Sequence, residues 1–453
     1  MASLGTTDEP VAGRAEQAGS AAAGGPVLQT RKSARRPSSP AQPTFTPIRK
    51  HPPQHDMCST ELLVMGFVCL TILFAVLVVI LLMVFGSQAL FGSSASAEPP
   101  GVGAQKGQAA LYPWETGEAN VPLKRVAFMR RGAYEPEDVD ITLVTQTTPD
   151  RFHKLVELVL SWKGPVSVSV YIKDPYSSYQ PETPLSQLPP EIRLVLSLYD
   201  NSPALSWFVD VHFVYANGTR YPANVLRNFA IARSRTPVFL MLDIDFVTSQ
   251  SLHDHLREFL LKTALPFFPT HDQQAALIAL IVPAFQSSLP WEDLPQDKRQ
   301  MAKALASGSV RPVNLDRCIK CHGPTNFEFW NRAHTPYKAH YHWIFEPYLL
   351  LRKDTNLPLY EERLKGYGFD KNFHTYHLAI AGYTFWVLPD VFVIHIDHEE
   401  SAWDGPSHHD QQWDSLMVVC DGFRILRSMY GHNPDISVFD EPGVENCYSN
   451  SHW

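Results

Sequence analysis

One run of sequence limits the architecture more than any other. Leu62–Phe85 reads LLVMGFVCLTILFAVLVVILLMVF, 24 residues without a charge, with Thr71 as its one clearly polar side chain. A helix needs roughly 20 apolar residues to cross the hydrocarbon core of a bilayer. Helices buried in soluble proteins rarely go so long without a polar stripe. The run is also too long, and starts too far into the chain, to be a cleaved signal peptide. Residues 1–61 carry seven bases, among them Arg31, Lys32, Arg35 and Arg36, against five acids; the 25 residues after the run hold only Glu98 and Lys106. The positive-inside rule then predicts a single-pass, type II signal anchor with a cytosolic N-terminus and a luminal or extracellular remainder.

The anchor divides the chain into parts of different character. Residues 1–61 are rich in Ala, Gly, Ser and Pro and are expected to be a disordered cytosolic tail, with RKSARR at 31–36 as a topology determinant. Residues 86–135 read as a flexible luminal stem. Residues 136–453 are compositionally even and without internal repeat, which predicts one catalytic-sized domain. The whole chain has 38 Lys+Arg against 46 Asp+Glu, a formal charge of −8. That balance excludes broad nucleic-acid backbone binding as its main work. Cys318, Cys321, Cys420 and Cys447 stand on the luminal side, where three pairings are open to them, and Asn217-Gly218-Thr219 is a glycosylation acceptor site suited to that compartment.

Within the luminal part, strands are expected at Ile141–Thr145, Val166–Ile172, Val209–Val214 and Pro237–Leu242, with helices at Phe152–Trp162 and Asn224–Arg233. This alternation is that of an open α/β sheet, whose ligands sit beyond the carboxyl ends of the strands. Asp243 and Asp245 stand at such an end. A pair of carboxylates one residue apart suits Mg²⁺ or Mn²⁺ shared with a substrate's phosphates, and strand alternation would put both on one face. His395 closes another apolar strand, Val391–Ile394, and is a candidate third ligand. Glu361 and Glu362 could supply a general base, although a solvated helix start is the plainer reading of the segment. Cys318-Ile319-Lys320-Cys321-His322 also matches a c-type haem attachment string, with a disulfide or a zinc site as its alternatives.

These segments, taken in order, resemble glycosyltransferase family 49, the family of a β-1,4-glucuronyltransferase and of LARGE-type C-terminal domains. The matching stretches are ITLVTQTT, SWKGPVSVSVYI, YPANVLRNFA, VFLMLDIDFVTS, VPAF, RCIKCHGPTNFEFW, FEPYLLL, YEERLKGYGFDK and AIAGYTFWVLPDVFVIHIDH, collinear across about 139–398. The resemblance implies a GT-A fold behind the single transmembrane helix, an open, mostly parallel mixed sheet with flanking helices. It further implies a UDP-sugar donor, Mn²⁺ (or Mg²⁺), inversion at the anomeric carbon, a glycan or glycoprotein acceptor, and a Golgi membrane location in which assembly with itself or with other transferases stays open. By position, Asp243, Asp245 and His395 would hold the metal. Thr145, Gln146 and Thr147 would lie against uridine, and Asn224, Arg227 and Asn228 would line the nucleotide pocket or brace the metal loop. Glu362 is the favoured base, with Glu361 and Glu346 as contenders. A disulfide is the expected state of Cys318 and Cys321, either with each other or with Cys420 and Cys447. Glucuronate is favoured over xylose as the transferred sugar; the rival is a glycan-binding relative without turnover.

Overall fold

Runs of β-branched and aromatic residues form the strands of two sheets that meet end to end. The computed structural model describes residues 123–174, 179–216, 218, 220–263, 276–314, 317–366, 368–398, 407–433, 436 and 447. The expected tail, membrane anchor, Asn217 and stem residues 86–122 lie outside the described residues. Among the described residues no helix is long and apolar enough to cross a membrane.

In chain order the strands are β1 (Lys124–Arg130), β2 (Ile141–Thr147), β3 (Val166–Ile172), β4 (Val209–Tyr215), β5 (Val238–Met241), β6 (Phe246–Thr248), β7 (Ile278–Val282), β8 (Ala284–Ser287), β9 (Arg311–Pro312), β10 (Tyr337–Ala339), β11 (Tyr348–Arg352), β12 (Thr384–Val387) and β13 (Val393–Ile396). The large sheet runs β1-β4-β3-β2-β5-β11-β7-β12-β10 and the small one β6-β13-β8-β9. In the large sheet β4, β3, β2 and β5 are mutually parallel, as are β7 and β12. β1, β11 and β10 pair antiparallel with their neighbours. The sheet is therefore mixed, with β4, β3, β2, β5, β7 and β12 running one way and β1, β11 and β10 the other; β11 enters between β5 and β7 against both.

The boundary expected at residue 135 also shifts. β1 pairs with β4 along the sheet edge, so the packed unit takes in residues that composition assigned to the stem. The Val/Ser alternation of β3 has all seven residues buried, since both faces of the sheet are covered. Leu143 and Val168 face one apolar cluster, while Val144, Phe239 and Ile281 face the other. Helix α1 (Leu155–Trp162) buries Leu155, Leu158, Val159 and Trp162, one stripe at helical spacing.

Three strands of the large sheet run on into the small one: β5 into β6, β7 into β8 across Pro283, and β12 into β13. Proline cannot donate to a ladder, which suits the break at 283. The chain segments crossing this junction carry the acidic pair and the histidine singled out above.

Candidate active site

Asp243 and Asp245 sit in the turn between β5 and β6, not on a strand. Alternation therefore does not apply, and their carboxylates engage different groups. Asp243 accepts from Arg227 at 3.1 Å, from Tyr348 Oη at 3.0 Å and from Lys371 Nζ at 2.9 Å. Asp245 Oδ2 accepts from Arg151 at 2.7 Å and lies 2.6 Å from His398 Nε2 and 3.5 Å from His395 Nε2. Burial opposes ionisation at both sites, but Lys371 and Arg227 hold the Asp243 carboxyl well below the usual carboxylate range. His395, His398 and Arg151 do the same for Asp245.

β13 delivers one of the histidines. It runs from Val393 to Ile396, slightly later than expected, and pairs His395 with Phe246 on β6. The imidazole stands edge-on to the Phe246 ring at 5.2 Å. Two residues past the strand end, His398 lies beside Asp245. The ligand atoms of Asp245, His395 and His398 lie within 4.8 Å of one another. One carboxylate and two imidazoles fit a borderline divalent cation. Sequence reasoning missed His398; its signal was the His-x-x-His spacing across a strand end.

Helix α2 (Ala223–Arg233) carries Asn224, Arg227 and Asn228, all buried. They bind protein rather than line an open pocket. Asn224 Nδ2 donates to the Glu361 carbonyl at 2.8 Å, and Asn228 Nδ2 donates to the Tyr360 carbonyl at 2.8 Å. Arg227 bridges Asp243 and Asp370, the latter at the start of helix α4 (Asp370–Ile380). The bracing role is thus the one the geometry supplies. Of the proposed uridine-facing residues, Gln146 accepts from the Tyr221 hydroxyl, and Thr147 donates to the Thr148 carbonyl at 3.2 Å. The buried Thr145 Oγ1 has no hydrogen-bond partner.

The three candidate bases separate clearly. Glu361 is clamped by Arg363, which also binds Asp421. Glu362 pairs with Arg125 at 3.2 Å on the outside and accepts from Asn228 at 3.1 Å. Neither is placed by these contacts to take a proton at the sheet junction. Glu346 precedes β11, and its carboxyl makes no ion pair among the described residues. Burial pushes it up to about 7, with Asp370 and Asp243 adding to that and Lys371 and Arg227 opposing it. Among the described residues, Glu361 and Glu362 are thus engaged with arginines, and Glu346 is not.

The cysteines pair as Cys318–Cys321, with an S–S distance of 2.09 Å, and Cys420–Cys447. Neither Cys318 nor Cys321 is free for a haem thioether. His322 is buried with its ring stacked on Tyr348, and burial pushes its pKa down to about 3. Trp330, Tyr341 and Trp343 belong to the core.

Fold and centre together define a mixed α/β protein with a carboxylate–imidazole cluster at a sheet junction, of the kind that can hold a divalent cation. The chain belongs to the glycosyltransferase 49 family, described as "Glycosyl-transferase for dystroglycan", which matches residues 140–219 and 214–412. A glycosyltransferase-like protein, gnt14, of Dictyostelium discoideum is 41% identical over 314 residues, covering 69% of this chain and 46% of its own. The xylosyl- and glucuronyltransferase LARGE2 of Rattus norvegicus is 32% identical over 278 residues, 61% of this chain and 37% of its own. The chain thus spans less than half the length of either relative. A solved GalNAc-T7 with UDP, GalNAc and Mn²⁺ aligns over 63% of this chain and 48% of that chain, at 14% identity and a TM-score of 0.38, a likeness too distant to carry an argument.

Proposed function

We propose that the protein is a GT-A type, metal-dependent, inverting glycosyltransferase that moves glucuronate from UDP-glucuronate to a xylose-terminated glycan, forming a β-1,4-type linkage, in the Golgi lumen. The observation that carries this reading is the convergence of Asp245, His395 and His398 on one point at the sheet junction. A divalent cation held there supplies Lewis acidity that offsets the charge of the departing diphosphate. Arg151 stands beside the cluster as a fixed cation, and a guanidinium is well shaped for phosphate oxygens. Lys371, locked on Asp243, adds positive charge on the other side of the turn.

The reaction balances without a redox partner. The acceptor hydroxyl oxygen bonds to the anomeric carbon while the bond from that carbon to the diphosphate oxygen breaks. UDP departs with the electron pair, and the hydroxyl proton passes to the Glu346 carboxylate. A carboxyl with a pKa near 7 is well matched to that transfer at neutral pH. Asp370 is the other carboxylate nearby, but its ion pair with Arg227 commits it. The glucuronyl assignment rests on the family membership and on the relative named for both xylosyl and glucuronyl transfer.

The test is a screen of the full chain in detergent with UDP-sugars and Mn²⁺, scoring UDP release and product mass with xyloside and glucuronide acceptors. Glucuronate transfer to a β-xyloside is the expected product. Xylose transfer to a glucuronide would reassign the donor, and the absence of UDP release with every donor would favour a glycan-binding relative.

A further inference from the structure

A cavity of about 620 Å³ is lined by Glu346, Phe369, Asp370, Lys371, Asn372 and Trp413, among others. Its size falls within the range of small-molecule sites, roughly 300–1,000 Å³. Two features of its walls differ in kind. Trp413, on helix α5 (His408–Tyr430), is 46% exposed although it is the largest apolar side chain there. Its indole N–H donates to His409 Nε2 at 3.0 Å, which pins the ring and leaves a face free. Phe369 is a second aromatic wall and holds a left-handed backbone, φ 60°, a conformation that bulky residues avoid.

The polar wall offers acceptors. Asn372 is 3% exposed, and its Oδ1 is buried without a hydrogen-bond partner. A buried, unpartnered amide oxygen is costly unless something donates to it. Glu346 and Asp370 line the same cavity, as do Lys371 and Arg317. An exposed aromatic face and hydrogen-bond acceptors lining one cavity suit a pyranose. Its C–H face packs on the ring and its hydroxyls donate to the oxygens.

We infer that this cavity binds a neutral pyranosyl unit, with Trp413 as its stacking platform and Asn372 as a hydroxyl acceptor. The assignment rests on the sugar-transfer reading above, since it makes this the acceptor subsite, with Glu346 at the hydroxyl to be deprotonated. It binds sugar whether or not transfer occurs, so the two readings can fail separately.

Saturation-transfer NMR on the full chain in detergent tests it, with methyl β-pyranosides of xylose, glucose and galactose as probes. At least one of them should show transfer in the wild type, and affinity should fall at least about tenfold in Trp413→Ala. Trp413→Phe should retain binding, and UDP binding with Mn²⁺ should be equal in all three proteins. Trp413 is half exposed, so an unchanged melting temperature is expected to accompany these results. Binding of none of the probes by the wild type, or undiminished binding by Trp413→Ala, overturns the inference. UDP release that fails with every donor while probe binding is lost in Trp413→Ala would refute transfer and uphold the sugar site.

Discussion

Asp245 Oδ2 lies 2.6 Å from His398 Nε2, joining the turn after β5 to the residue that follows β13 by two positions. The ligand set proposed for the cation is therefore Asp245, His395 and His398 in place of the expected Asp243, Asp245 and His395. Asp243 is left to Arg227, Lys371 and Tyr348.

The first consequence concerns metal affinity. Mn²⁺ titrated into His398→Ala and followed by electron paramagnetic resonance should bind about 10–100-fold more weakly than to the wild type. Asp245→Asn should lose more. Unchanged affinity in His398→Ala would remove it from the ligand set, whatever the enzyme's turnover.

Glu346 predicts a pH profile. Its carboxyl is held up to about 7 by burial, among Lys371, Asp370, Asp243 and Arg227. Below that pH it is protonated and cannot accept the hydroxyl proton, so transfer should rise as pH increases through about 7. Glu346→Gln should abolish transfer with UDP binding kept, whereas Glu362→Gln should lose little. A flat profile in this range, or an active Glu346→Gln, contradicts the assignment; loss in Asp370→Asn alone would move the role there.

Arg227 should matter for folding as much as for chemistry. Removing it in Arg227→Ala takes the guanidinium from the partly buried Asp370 carboxylate and leaves Asp243 with Lys371 as its remaining cation. Breaking such a network costs about 3–5 kcal/mol, to be read from urea unfolding. Adding Asp370→Asn to Arg227→Met should recover part of the loss; purely additive effects would show that the pair is not coupled.

The Cys420–Cys447 bridge spans a sequence separation of 27. Cys420→Ser should lower stability by about 2–4 kcal/mol through the freer unfolded chain. Identical melting of oxidised and dithiothreitol-treated protein would argue against a bridge.

Much of the fold was legible where the signal is local. VSVSVYI and PVFLML each read as strands, and α2 followed from its helical pattern. The antiparallel entry of β11 between β5 and β7 was not legible, because it is decided by partners far apart in sequence. The strand argument for Asp243 and Asp245 failed for a local reason: the chain turns at Ile244 and Asp245, so period two does not reach them. Glu362 was favoured by its place in a motif, while the ion pair of Glu362 with Arg125 and the burial of Glu346, which motivate the proposed base, depend on neighbours far apart in sequence. The N-x-x-R-N residues were legible as important; only their partners, Tyr360, Glu361, Asp243 and Asp370, show them to be braces.

The central claim is metal-dependent sugar transfer at the junction of the two sheets. The most direct measurement is UDP release by the full chain with UDP-glucuronate and a β-xyloside, before and after EDTA and again with excess Mn²⁺. The account predicts release that stops with chelation, returns with Mn²⁺ and is absent in Asp245→Asn. Release that ignores EDTA, or that persists in Asp245→Asn, would contradict it.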